Sequence, residues 1–182
     1  MINSERLILR PHRLEDFEAV CALYADPVLL HFIGGIPFTR EEVWQRLLRY
    51  AGHWALLGYG LFAIVDKATG HMVGETGFAD FHRGLGPDFD PFPEAAWIVA
   101  QHAQGKGYAQ EAASAAHRWL DARPGVAATV CIIHPENRPS LRLAATLGYA
   151  ARGEKSYRNG TVVMLQRPRP LAFGGLSGQD AS

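Results

Sequence analysis

Residues 103 to 112 read AQGKGYAQEA, two glycines around a lysine, with a run of small residues at helical spacing directly behind them. A helix that starts right after a glycine turn leaves several backbone N–H groups without partners, pointing at whatever lies in front of it. A phosphate approaches such groups closely only where no side chain intervenes. Gly105 and Gly107 meet that need, and Lys106 adds a positive charge beside them. The same residues also suit the tight corner that any chain needs between strand and helix, so on the turn alone both readings stand. Two nucleotide signatures fall away at once. The dinucleotide pattern GxGxxG ends on Gln110 where its third glycine belongs, and no Gly-Lys-Ser/Thr of a P-loop occurs.

Working outward, Glu94 to Ala100 (EAAWIVA) is an apolar strand that runs into the turn, and Ala109, Ala112, Ala113, Ala116 and Leu120 share one helical face behind it. Pro124 and Gly125 close that helix. Val126 to Ile133 is a continuous apolar run and reads as a buried strand. Asn137 to Leu147 is a helix with Pro139 in its first turn and Gly148 behind it. Strands are expected around Tyr149 to Arg152 and Thr161 to Gln166, on either side of a turn at Arg158, Asn159 and Gly160. Upstream, RLILR at 6 to 10 is a strand, and Leu14 to Asp26 carries Phe17, Val20, Cys21 and Tyr24 at helical spacing. Thr39 with Glu42 forms a capping box for a second helix, which ends at Gly58 and Gly60. Leu61 to Val65 and His71 to Phe78 form a hairpin across DKATG. His82 to Pro93 is rich in Gly, Pro and Asp and reads as a loop. The order is β α α β β β α β α β β: one α+β domain over residues 1–167, with a loose tail over 168–182.

Composition narrows the function classes. The chain has 182 residues, 48% hydrophobic and 20% charged, enough for one full core and unlike a disordered or membrane composition. Lys+Arg and Asp+Glu stand at 18 each, which argues against nucleic acid or a lipid surface as a partner for the whole molecule. Cys21 and Cys131 are too far apart for a metal pair and too few for a disulfide scaffold. The eight histidines show no HExxH, so no metal is expected. The charged start MINSERLILRPH and the absence of an 18-residue apolar window point to a cytoplasmic protein, a monomer or homodimer.

Gln104, Gly107 and Ala109 fit the pattern Gln/Arg-x-x-Gly-x-Gly/Ala, which resembles the acetyl-coenzyme A pyrophosphate loop of the GNAT superfamily of N-acetyltransferases. Thirty residues on, ENRPSLRLAATLGY resembles that superfamily's next signature, with Asn137, Ser140 and a Leu-Gly-aromatic ending at Tyr149. Together with RLILRPHRLEDFE, IGGIPFTREE and WIVAQHAQGKGYAQEA, it is most similar to the RimJ/RimL-like branch. The resemblance covers about Met1 to Arg167 in a consistent order. It implies a mixed, mostly antiparallel sheet of seven strands flanked by four helices in three layers, splayed between the fourth and fifth strands, with coenzyme A in the gap.

The resemblance also implies roles. The backbone near Trp97, Ile98 and Val99 would receive the pantetheine arm, and Gln104, Gly105, Lys106, Gly107, Tyr108 and Ala109 would hold the pyrophosphate. The reaction is attack of a neutral amine on the thioester, which needs an acceptor for the amine proton, donors for the oxyanion and a proton for the leaving sulfur. Ser140 is the candidate for the sulfur end, with Tyr149 as its substitute. Asn137 caps its helix and is a candidate for the pantetheine amide. Glu94 is the first choice of base, at the start of the strand lining the cleft; Glu75, His134 and Glu154 are rivals. Asp88 and Asp90 beside Phe89 and Phe92 suggest a site for a cationic amine. Trp44, Tyr50, Trp54 and Tyr59 suggest core or one wall of the acceptor pocket. The partners implied are acetyl-coenzyme A and a small amine or a peptide N-terminus. Two other readings stay in view: a non-catalytic acyl-coenzyme A binding module, and a nicotinamide oxidoreductase, already short of its third glycine.

Overall fold

The computed structural model describes residues 1–158 and 160–170. Eight strands form one sheet: β1 (Ile2–Asn3), β2 (Leu7–Pro11), β3 (Leu61–Asp66), β4 (Met72–Ala79), β5 (Glu94–Val99), β6 (Ala128–Ile133), β7 (Ala150–Tyr157) and β8 (Gly160–Pro168), in the spatial order β1-β2-β3-β4-β5-β6-β8-β7. Every neighbouring pair is antiparallel except β5 and β6. Five α-helices cover it: α1 (Phe17–Tyr24), α2 (Pro27–Ile33), α3 (Arg40–Leu57), α4 (Tyr108–Asp121) and α5 (Arg138–Thr146). This is the expected α+β architecture, with one strand and one helix more than the sequence pattern shows.

The residues of β5 divide between two layers because successive side chains leave a strand on opposite faces. Ala95, Trp97 and Val99 pack with Leu7, Phe62, Phe78 and the small residues of α4, among them Ala112, Ala115 and Ala116. Ile98 packs on the other face with Val20, Leu23, Tyr24 and Val43 of α1 and α3. Alanine in α4 lets the helix lie close to the sheet, and Leu120 fills the far end with no exposed surface. A third cluster joins Leu85 and Phe89 of the 82–93 loop to Val130 of β6, with Tyr157 at its edge. The loop therefore serves as a cover over β6 and β8.

Three differences from the expectation have local causes. Asp26, the end of the first expected helix, accepts a hydrogen bond from the Val28 N–H and Pro27 starts α2, so a further helix follows where none is expected. β7 runs on to Tyr157 with most of its residues exposed, so its pairing with β8 makes it a strand where no apolar alternation marks one. At the C-terminus, β8 includes Pro168 and the Arg169 N–H bonds to the Ala127 carbonyl, so the last strand runs past its expected end at Gln166. Asn159 of the predicted turn and residues 171–182 of the predicted tail lie outside the described residues.

Candidate active site

The parallel strands β5 and β6 meet at one register pair, Glu94 with Val130, and then part. The gap lies between the fourth and fifth strands of the predicted order, as the fold expectation has it. The Ala100 N–H bonds to the Val73 carbonyl, and alternation along an antiparallel pair then turns the backbone groups of Ile98 toward β4 and those of Trp97 and Val99 into the gap. Gln104 crosses back to donate its amide to the Val99 carbonyl at 3.1 Å, tying the glycine turn to the strand it follows.

Both chain segments that leave the wide end of the gap start helices there, because both strands point that way. After β5, Gly105 and Gly107 adopt φ of 73° and 78°, a left-handed conformation that other residues enter at a cost. Gly107 is the N-cap of α4 and offers no side-chain cap; the first helical bond is the Glu111 N–H to the Gly107 carbonyl. The N–H groups of Tyr108, Ala109 and Gln110 therefore stand free of the helical ladder, in front of an exposed turn carrying Lys106. A Cβ on Gly105 would meet nothing within 4 Å, so the turn opens to solvent on that side. From below, Arg6 holds the turn by donating to the Lys106 carbonyl at 2.8 Å and pairing with Glu111 at 2.7 Å. After β6, Asn137 caps α5, its Oδ1 accepting from the Ser140 N–H at 3.1 Å. The Ser140 hydroxyl is half-buried and makes no hydrogen bond among the described residues. A cavity of about 460 Å³ lies beside the wide end, between α1, the start of β4 and Ala100 to His102.

The catalytic candidates separate. Glu94 is 5% exposed and held by a fork from Arg83, whose Nε and Nη2 donate to its two oxygens at 2.6 and 2.7 Å, while Arg83 Nη1 donates to the Tyr157 hydroxyl. Burial raises the Glu94 pKa against the pull of Arg83. Tyr149 is buried, its hydroxyl 2.9 Å from His117 Nε2 and 2.7 Å from the Thr129 hydroxyl. That hydroxyl is engaged inside the core between α4 and β6.

Glu75, a rival for the base, lies in a buried polar cluster. It lies opposite Ile98 in β4, 1% exposed, and one oxygen accepts from the hydroxyls of Tyr24 and Tyr50, the latter at 2.7 Å. Its other oxygen faces His12 Nε2 at 3.4 Å but has no hydrogen-bond donor. Burial pushes Glu75 up, yet His12, Arg46 and the Tyr24 hydroxyl outweigh it, so its pKa is lowered and it is a carboxylate at neutral pH. Asp90 accepts from the Leu85 and Gly86 N–H groups at 3.0 and 2.9 Å, so it shapes the loop instead of facing a ligand. Of the aromatic set, Trp54 packs on Phe62 and Trp119 as core, and Tyr50 alone reaches a polar partner of the cleft. His134 follows β6 and stacks near His31 and Phe32, so α2 covers the far end of the gap. Glu154 is exposed on β7.

Comparison with known proteins decides what this constellation belongs to. The family described as Acetyltransferase (GNAT) domain matches residues 6–150. The chain belongs to the GNAT acetyltransferase family. A GnaT-family acetyltransferase from Bordetella pertussis superposes with a TM-score of 0.82 at 34% identity, covering 91% of this chain and 98% of that one. The uncharacterized N-acetyltransferase p20 of Bacillus licheniformis is 26% identical over 153 residues, 84% of this chain and 83% of that protein. The spermidine N-acetyltransferase of Vibrio cholerae, solved with CoA and spermine, shares the fold, with a TM-score of 0.70 at 17% identity over 90% of this chain and 96% of that one. The protein is thus an acetyltransferase. Among its described residues, no helix is long and apolar enough to cross a membrane.

Proposed function

We propose that this acetyltransferase moves the acetyl group of acetyl-coenzyme A to a primary amine by direct attack in a ternary complex, and that it falls in the RimJ/RimL-like branch. The observation that carries the reading is the single register pair between β5 and β6. It leaves the backbone groups of Trp97 and the Val99 N–H turned into the gap for a pantetheine arm, directly ahead of a helix start with unpaired N–H groups for the pyrophosphate. Trp97, Ile98 and Val99 form that edge. Gln104, Gly105, Lys106, Gly107, Tyr108 and Ala109 form the phosphate cradle, and Asn137 and Ser140 border it from α5.

In the proposed reaction the amine nitrogen attacks the thioester carbonyl carbon, its proton leaves to a carboxylate, the tetrahedral oxyanion collapses, and the C–S bond breaks. Ser140 passes a proton to the sulfur and takes one back from water, since its hydroxyl has no hydrogen-bond partner among the described residues. Glu94 is a poor acceptor while Arg83 occupies both of its oxygens, so the base role passes to Glu75, which keeps one oxygen without a donor. Because Glu75 is fully buried, its proton arrives through water or the Tyr24 and Tyr50 hydroxyls.

Release of free thiol, measured across a panel of amines, tests this. Amine-dependent release supports transfer; tight binding with no release by any amine supports the binding-module reading. Ser140→Ala should lower kcat on the order of 10–100-fold with acetyl-coenzyme A affinity nearly unchanged. Equal loss of both would remove the acid role. Glu75→Gln should lower kcat and abolish the acidic limb of its pH profile, while an unchanged profile would return the base role to another group.

A further inference from the structure

The proposed function leaves the acceptor open, and the charge around the cleft narrows it. The glycine turn lies at the α4 side of the gap, so an acceptor reaches the thioester from the opposite face, over Ala96 and Ile98, which are both partly exposed. That approach runs between α3 and the 80–93 loop. Along α3, Arg46, Tyr50 and His53 form one stripe over β4: Tyr50 reaches Glu75, and His53 Nε2 lies 3.0 Å from the Asp80 carbonyl at the strand's end. Arg49 flanks this stripe. Its guanidinium lies over the Phe81 ring at 5.4 Å, and Arg83 lies over the same ring at 4.5 Å. Arg46 packs on Tyr24 and Phe38 at 4.2 and 4.7 Å. Three guanidinium groups therefore gather on aromatic rings around one mouth.

Four acids nearby already have partners, and Asp88 is exposed on the loop. Glu94 answers Arg83. Glu75 answers Arg46 only through the two tyrosine hydroxyls, which accept from Arg46 Nη1 at 3.1 and 3.3 Å, and Arg46 Nε is buried without an acceptor. Asp80 faces His82, and Asp90 is spent on loop N–H groups. Arg49 is exposed and has no carboxylate partner among the described residues. Desolvation of its guanidinium lowers the Arg49 pKa, and the positive charge of Arg46 and Arg83 lowers it further.

We infer that the acceptor is a small amine that also bears an anionic group, of the amino-acid class, with Arg49 binding the carboxylate and Arg46 adding charge behind it. Arginine suits this role because its planar fork matches a carboxylate bidentately. The inference rests on the acetyl-transfer reading and disfavours polyamines, which carry no anionic group for Arg49 to bind.

Matched pairs separate the two levels. Free α-amino acids, the same amino acids as amides, and a linear polyamine are compared by thiol release at low and moderate salt, with acetyl-coenzyme A binding measured separately by calorimetry. The acids should exceed their amides in kcat/KM by at least about 10-fold, with the polyamine slower still and the preference shrinking as salt rises. Arg49→Gln, an exposed substitution, should collapse the acid-to-amide ratio toward one through KM while acetyl-coenzyme A affinity stays. Equal rates for acid and amide, preference for the polyamine, or an unchanged ratio in Arg49→Gln would overturn the inference. Loss of acetyl-coenzyme A binding in the wild type would overturn the reading beneath it instead.

Discussion

At Glu94 and Tyr149 the residue types were legible in the sequence, and their neighbours were not. An acid at the start of a cleft strand is visible in EAAWIVA, but its partner Arg83 sits in a Gly- and Pro-rich loop eleven residues earlier, and only the folded loop turns it onto both oxygens. Glu75 was visible too; its setting depends on Tyr24 and Tyr50, brought in by two helices far apart along the chain. Another such residue is His117, in a helix that reads as plain alanine-rich core. Its Nδ1 lies 2.7 Å from the Ala113 carbonyl and its Nε2 meets Tyr149, and burial lowers its pKa to about 4. The unfolded chain takes up that proton near pH 6.5 and the folded one does not until about 4, so the contribution is whole above 6.5 and is lost as pH falls toward 4. The loss is on the order of 3 kcal/mol. Thermal melts of the wild type and His117→Gln across this window should show the wild type falling more steeply, and parallel curves would contradict the assignment.

Among the elements, α2 shows where reading by period stops. The stretch through Tyr24 to Phe32 is apolar enough to continue a helix, and the punctuation is a single Asp-Pro step. Asp26 caps, Pro27 presets the first turn, and Gly34 at φ 124° ends the element. The expected helix stops at Asp26, and the seven residues of α2 are too few for their spacing to announce a helix of their own. Since α2 brings His31 and Phe32 against His134 at the end of β6, it shields the wide end of the gap. Asp26→Ala should cost about 1 kcal/mol of stability. Hydrogen exchange should rise in α2 ahead of α3, whereas uniform exchange across both helices would show that the cap does not hold α2 separately. β7 is the opposite case. AARGEKSY has no alternation to read, and the strand exists because β8 supplies its hydrogen bonds from Gly160 to Gln166.

For the whole molecule, what the sequence carried was the order of elements and the two helix starts that face one another across the gap. AQGKGYAQEA and ENRPSLRLAATLGY each follow a strand, and because those two strands are parallel, both helix N-termini gather at one end of the sheet. The splay itself was legible only through family resemblance, since no local pattern announces that two apolar strands will share one register pair. The gathering of arginines was not legible at all: Arg49 and Arg83 meet only when α3 and the loop close on Phe81, and Arg46 joins them by packing on Tyr24 and Phe38. The account as a whole stands on the glycine turn holding the cofactor's pyrophosphate. Gly105→Asp tests it most directly, because Asp tolerates the left-handed conformation better than most residues and the added Cβ enters open space. Calorimetric titration with acetyl-coenzyme A should show affinity at least about 10-fold weaker in the variant, with a melting temperature near the wild type's. Equal affinity in the two proteins would contradict the account.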